Sequence, residues 1–247
     1  MRLTNGWVQM NVFRSIQVKA VRRLAASVGV AAVAATSLLV SAPVRSAAAD
    51  PCPDVDVVFA RGSGEPPGIG TVGGPFVDAL RSRIGPKSLA VYAVNYPAST
   101  DFSNPDFPLT VIDGIRDAGS HIESMAANCP KTREVIGGYS QGAAVAGYVT
   151  AAAVPPGVPP DAVPKPMSPD IANHVAAVTL FGTPSDQFLH QYGAPTIVIG
   201  PLYQPKTLEL CADGDSICSN GTSPVAHTLY PVNGMVGQAA DFASNHL

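Results

Sequence analysis

The sequence predicts a single-domain α/β sandwich with a mainly parallel central sheet. Short β-branched runs alternate with longer segments of helical periodicity. Such alternation implies right-handed crossovers between parallel strands, with helices covering both faces of the sheet. The chain beyond residue 49, about 198 residues, is long enough for one substantial core.

The first strand is expected over 54–62, "DVDVVFARG", a β-branched run that ends in glycine. Residues 73–85 follow with Phe76, Leu80 and Ile84 at helical spacing, and 89–96 reads as the second strand. Ile112, Ile115, Ile122 and Met125 build a long helix over 109–128. A strand beginning at 134–136 leads into "GGYSQGAAV", whose alanine-rich continuation reads as a helix over 143–154. Further strands are expected at 174–181 and 207–210, with a closing helix over 235–247. The proline-rich run 155–169, "PPGVPPDAVPKPMSP", fits neither a regular helix nor a central strand, because proline lacks the N–H and fixes φ. It is expected as an extended surface loop, since the strand after it must pair with strands before it.

The N-terminal segment stands apart. Arg14, Lys19, Arg22 and Arg23 precede an uncharged stretch over 24–44, and Ala47-Ala48-Ala49 follows before Asp50. A basic region, an apolar region and a small-residue site read as a secretory signal peptide over 1–49, cleaved after Ala49, with the folded domain over 50–247. About 21 uncharged residues could also span a bilayer, but Ala, Ser and Thr dilute the run and Pro43 and Arg45 interrupt it. Only 13% of residues are charged and the formal net charge is −3. Nothing there suggests the clustered basic surface that nucleic-acid binding requires. The four cysteines, Cys52, Cys129, Cys211 and Cys218, all lie in the expected mature portion. An even count in an exported chain points to two disulfides with three connectivities open; the nearness of Cys211 to Cys218 favours one short loop, which would leave Cys52 for Cys129. No C-x-x-C spacing supports a zinc site.

Ser140 sits at the centre of Gly138-Tyr139-Ser140-Gln141-Gly142, a G-x-S-x-G pattern between an expected strand and an expected helix. Glycines on both sides suit a sharp strand-to-helix turn that exposes the serine. The pentapeptide alone is a weak signal. A neutral serine needs a histidine to take its proton and a carboxylate to orient that histidine, and on this architecture the order is Ser, acid, His. After the last strand only His227 and His246 remain. His246, at the end of the closing helix, reads as a solvated surface group, whereas His227 lies in the irregular "SPVAHTLY". His121 and His174 read as structural, and His190, in an expected loop, precedes the acids. The acid candidates are Asp213 and Asp215 in "CADGDSIC", and spacing does not choose between them.

With "CPDVDVVFARGSGEPPGIGTVG", "VYAVNYPA", "GGYSQGAAV", "LFGTPS", "LELCADGDSIC" and His227 in place, the chain resembles the cutinases, in the branch of cutinase-like serine esterases secreted by mycobacteria and their relatives. The resemblance covers nearly all of the expected mature chain. It implies an α/β-hydrolase-type sandwich without a large lid, Ser140 as nucleophile, Asp215 as triad acid and His227 as general base. It also implies the pairs Cys52–Cys129 and Cys211–Cys218. The oxyanion donors would be the backbone N–H of Gln141 and, by resemblance, Ser63 in "ARGSGE". Fungal members usually carry threonine after that serine, and Gly64 here suggests a more mobile loop.

No metal or organic cofactor is required by this chemistry. The expected substrate is a carboxylic ester of short to medium acyl chain, a lipid ester or a cutin-like polyester. Pro224, Val225, Phe102, Phe107 and Leu109 are the expected lining of an acyl groove. The expected contacts are an ester or lipid substrate and, transiently, lipid surfaces or the cell wall, with no nucleic acid and a monomeric chain. Two rivals are a phospholipase A or thioesterase with the same apparatus, and a secreted binding or wall-associated protein with weak turnover.

Overall fold

The computed structural model describes residues 52–247, so the expected signal peptide lies outside the described residues. Five strands form one sheet: β1 (Val55–Ala60), β2 (Leu89–Ala93), β3 (Arg133–Tyr139), β4 (Val175–Phe181) and β5 (Thr207–Leu210). Their spatial order is β2-β1-β3-β4-β5 and every pairing is parallel. β1 and β4 are buried along their whole length, which is why, apart from Asp56 and Thr179, they read as apolar runs rather than as alternating strands.

The helices divide between the two faces. On one face α1 (Gly70–Arg81) packs against α5 (Met235–Ser244) over a core of Val57, Phe59, Phe76, Phe181 and Tyr230. On the other, α2 (Phe107–Asn128) packs against α3 (Gln141–Val149) over Val58, Ile122, Ile136, Val145 and Leu180. Odd and even positions of β1 thus feed different cores, as the two-residue period of a strand dictates. Gly114 lets α2 approach closely, since a Cβ there would lie 3.1 Å from both Tyr96 and Val145.

Every expected strand and helix exists, β5 at its expected bounds and the others with one or both ends shifted. α1 begins at Gly70, because the Glu65 carboxylate accepts from the Thr71 N–H at 2.7 Å and its hydroxyl at 2.6 Å and so organises the first turn. α3 begins at Gln141 and stops at Val149, five residues short of the expected end. There the Thr150 hydroxyl donates to the Ala146 carbonyl, and the Thr150 carbonyl accepts from Gly200 N–H. One short helix had no legible signal: α4 (Asp186–Gln191), capped by Ser185 Oγ, which accepts from the Phe188 N–H. His190, expected in a loop, is an exposed residue of α4. The proline-rich run carries one 3-10 turn, Pro160–Ala162, is otherwise irregular, and leads into a second, Pro169–Asn173.

Candidate active site

Ser140 stands at the carboxyl edge of the sheet, between the last residue of β3 and the first of α3. Its backbone adopts φ 56° and ψ −119°, a region that residues with a side chain rarely occupy. Its neighbours make that turn feasible. A Cβ on Gly138 would lie 2.1 Å from the Gly142 carbonyl oxygen, and one on Gly142 would lie 2.0 Å from the Ala60 oxygen. The turn is pinned by Ser140 N–H, which donates to Phe181 O at 2.9 Å, and by Ser140 O, which accepts from Ala143 and Ala144 N–H. Gln141 N–H, at the first position of α3, has no intrahelical acceptor to serve. The Gln141 side chain donates to Ser99 O at 3.2 Å.

The histidine and acid come from the chain after β5. His227 Nδ1 and Asp215 Oδ2 are 2.7 Å apart. Asp215 is fully buried, and its oxygens also accept from Ile217 N–H at 2.8 Å and from the Tyr230 hydroxyl at 2.6 Å. Burial acts to raise the Asp215 carboxyl, but the bonds from Tyr230, His227 and Ile217 outweigh it and hold the group below the ordinary carboxylate range. Asp213 is exposed and Asp215 is the one that meets the imidazole, so the choice left open by spacing is made by geometry. The Cys211–Cys218 disulfide closes this loop, and Cys52–Cys129 ties the start of β1 to the end of α2. The Cys211 and Cys218 sulfurs lie near Asp215, but both are spent in their own bond and offer no thiolate to a metal.

Three residues that the sequence reading did not assign hold the imidazole. Tyr139 stacks on it with ring centroids 5.0 Å apart and donates its hydroxyl to His227 O at 2.7 Å. Tyr230 meets it edge-on and is fixed in turn by Ala212 N–H, which donates to its hydroxyl at 3.1 Å. Burial and the adjacent Asp215 push the Tyr230 hydroxyl upward, so it remains a donor at neutral pH. Gly182, in "LFGTPS", leaves the space the ring occupies, because a Cβ there would lie 2.8 Å from His227 Cε1. His227 Nε2 is buried with no hydrogen-bond partner among the described residues.

Ser63, Ser140, Gln141 and His227 line one cavity of about 850 Å³. Ser63 belongs to a loop that is well tied. Gly62 N–H donates to Glu65 Oε2 at 2.6 Å, Arg61 Nε to Glu65 O at 2.8 Å, and Gly64 N–H to Ala98 O at 2.7 Å. Gly64 has φ 74°, so glycine serves a left-handed turn here, in a loop held at several points rather than loosened.

The other histidines lie elsewhere. His121 Nε2 is 2.7 Å from Asp56 Oδ2, but this second pair sits near the amino end of β1 and stacks on Tyr92, away from Ser140. His246 is exposed beyond α5. The expected acyl groove needs correction. Phe102 and Phe107 line the cavity, but Leu109, Pro224 and Val225 do not, and Leu109 and Val225 are more than half exposed. The proline-rich run supplies a wall instead, through Val158, Val163 and Met167 among others.

A model of the cutinase family fits residues 51–247. The chain is 76% identical over 166 residues to a Mycobacterium tuberculosis protein named "Probable carboxylesterase Culp7", covering 67% of this chain and 89% of that one. It is 46% identical over 228 residues to "Phospholipase Culp4" of the same organism, covering 92% and 93%. Among solved structures, a Trichoderma reesei cutinase in complex with a C11Y4 phosphonate inhibitor superposes with a TM-score of 0.57 at 31% identity, over 80% of this chain and 78% of that one.

Proposed function

The chain belongs to the cutinase family, and we propose that it is a secreted serine esterase that works through an acyl-enzyme on Ser140. It is a carboxylic ester hydrolase. The observation that carries the mechanism is the state of His227: one ring nitrogen is committed to a buried carboxylate, and the other is unpartnered beside the cavity that Ser140 also lines. His227 Nε2 takes the Ser140 hydroxyl proton as Oγ attacks the ester carbonyl. Asp215 fixes the neutral ring's tautomer with the proton on Nδ1 and stabilises the imidazolium that then forms. Gln141 N–H and Ser63 receive the charge that develops on the carbonyl oxygen. The carbon–oxygen bond to the alcohol breaks, and the alcohol leaves with the proton held on Nε2. A water molecule, deprotonated by the same nitrogen, then attacks the acyl-enzyme. The acid departs and Ser140 regains its proton. Secretion is supported by the two disulfides, which suit an oxidising compartment, and by the leader-like segment over 1–49.

The test is hydrolysis of p-nitrophenyl esters from C2 to C16 by the mature chain. Ser140→Ala is expected to lower kcat/KM by roughly 10⁴-fold or more, and Ser63→Ala by about 10²-fold. Retained turnover in Ser140→Ala would remove the serine from the mechanism. The likeness to a relative named a phospholipase favours one second reading, an acyl hydrolase of glycerophospholipids. Release of fatty acid from phosphatidylcholine vesicles faster than from p-nitrophenyl esters would favour it.

A further inference from the structure

Taking Ser140 as the acylated residue, as proposed above, we propose that the cavity beside it is a groove for long straight acyl chains, of about 12 to 18 carbons, running between α2, α3 and the proline-rich strap. At about 850 Å³ it lies near the top of the range of roughly 300–1,000 Å³ found for ligand pockets. Its walls are mainly apolar, with Val111, Ile112, Ile115, Ala144, Val149 and Met167 among the lining side chains. A site for a short acyl group does not need this volume.

The groove's length follows from helix geometry. α2 and α3 each return the chain from the carboxyl edge of the parallel sheet to its amino edge, so they run in the same direction. Gly114 of α2 faces Val145 of α3. Ser140 lies five residues before Val145, and Gly119, which also lines the cavity, lies five residues after Gly114. Ten helical rises of about 1.5 Å therefore separate Ser140 from the level of Gly119, about 15 Å. With C–C bonds of about 1.5 Å, an extended chain advances about 1.25 Å per carbon, so about 12 carbons reach that level. The lining continues one turn further to Ser120 and Glu123, both exposed, where a longer chain meets solvent.

The strap explains why an enzyme without a large lid can hold such a chain. Residues 153–167 cross the groove with Val158, Val163 and Met167 facing it, and proline fixes their backbone in advance, so little order has to be gained on binding. A second segment, α4 and the residues after it, adds Phe188 and Tyr192 to the lining. The hydroxyl of Tyr148 donates to Pro195 O and ties this segment to α3.

Gly119 supplies the test. A Cβ there would meet nothing within 4 Å, so α2 has room for a side chain at this point of the cavity lining. In wild type, kcat/KM for p-nitrophenyl palmitate is expected to exceed that for the butyrate by at least tenfold; full burial would give about fourfold per methylene. Gly119→Phe is expected to cut the palmitate-to-butyrate ratio at least tenfold and to move the optimum to about C10. Sodium palmitate should raise the Tm of Ser140→Ala and fail to raise that of Ser140→Ala/Gly119→Phe. A wild type active on butyrate whose kcat/KM does not rise beyond C8, or a ratio unchanged by Gly119→Phe, overturns the groove and leaves the esterase intact. Hexadecyl acetate outperforming p-nitrophenyl palmitate, with the same sensitivity to Gly119→Phe, overturns the acyl assignment. No turnover of any ester, with the palmitate-dependent Tm rise preserved, overturns the esterase reading and keeps the groove.

Discussion

At His227 the two ring nitrogens have opposite fates, and Tyr230 is a large part of the reason. Its hydroxyl donates to Asp215 Oδ2 and accepts from Ala212 N–H, so one oxygen fixes both the acid and the loop that carries it. Removing it leaves a buried carboxylate oxygen and a buried N–H each short of a partner. Tyr230→Phe is therefore expected to cost about 1–3 kcal/mol of stability, measured by urea unfolding, and to lower kcat. The pH dependence carries a sign. Asp215 titrates below its ordinary value, so its contribution is complete above about pH 3.8 and is lost as pH falls through the lower folded value. Tyr230→Phe removes one of the bonds that depress it, so the contribution should shrink and its loss should be complete at a higher pH. An unaltered acid limb in both stability and activity would count against this role. Ser140 and His227 were legible from pattern and chain order. Tyr230 was not, because its reach to Asp215 depends on how the chain turns at Ala226–Thr228.

The strand–turn–helix unit around Ser140 shows why glycine spacing carried so much information. Gly138 and Gly142 are required by close backbone approach on both sides of a strained serine, whereas Gly74, within α1, faces open space. Gly142→Ala is expected to destabilise by about 3 kcal/mol or more, since the obstacle is the Ala60 carbonyl and not a side chain that can move. Gly74→Ala should stay within about 1 kcal/mol of wild type, because the gain in helix propensity is set against the crowding of its Cβ on Pro75. Thermal melts of the two variants check the contrast, and equal effects would show that the Ala60 carbonyl is no obstacle. Element types were legible because periods of 2 and 3.6 are written locally. α4 escaped because six residues hold less than two turns, too few for a period to register.

Across the whole molecule, the two cores differ in one charged feature. Asp56 on β1 and Glu134 on β3 are paired in register and both buried on the α2 side, with His121 against Asp56. Neither Glu134 oxygen has a hydrogen-bond partner among the described residues, and the Tyr203 hydroxyl is also buried and unpartnered. Burial, then repulsion from Asp56, pushes the Glu134 carboxyl up to about 8. A raised carboxyl binds its proton more tightly in the folded state. Its contribution is complete below about pH 4.5 and declines as pH rises through 8. Glu134→Gln should flatten this dependence, shrinking the fall in Tm between pH 5 and pH 8 by at least about 3 °C, roughly 1 kcal/mol for a domain of this size. Superimposable Tm–pH curves would show that Glu134 is not the titrating group.

Read by itself, the sequence determined the α/β class, the turn at Ser140, and the loops that carry the candidate acid and the candidate histidine. Each rests on local periodicity, turn chemistry or chain order, which neighbouring residues carry. Only the tertiary structure showed the contact of Asp215, implied by the resemblance, with the imidazole, recruited Tyr139, Tyr230 and Gly182 around that ring, and made the proline-rich run a cavity wall. The reason is physical: a wall or a second hydrogen-bond partner is made by residues distant in the chain. Their meeting is set by how α2, α3 and the crossovers pack on the sheet, which no local pattern records.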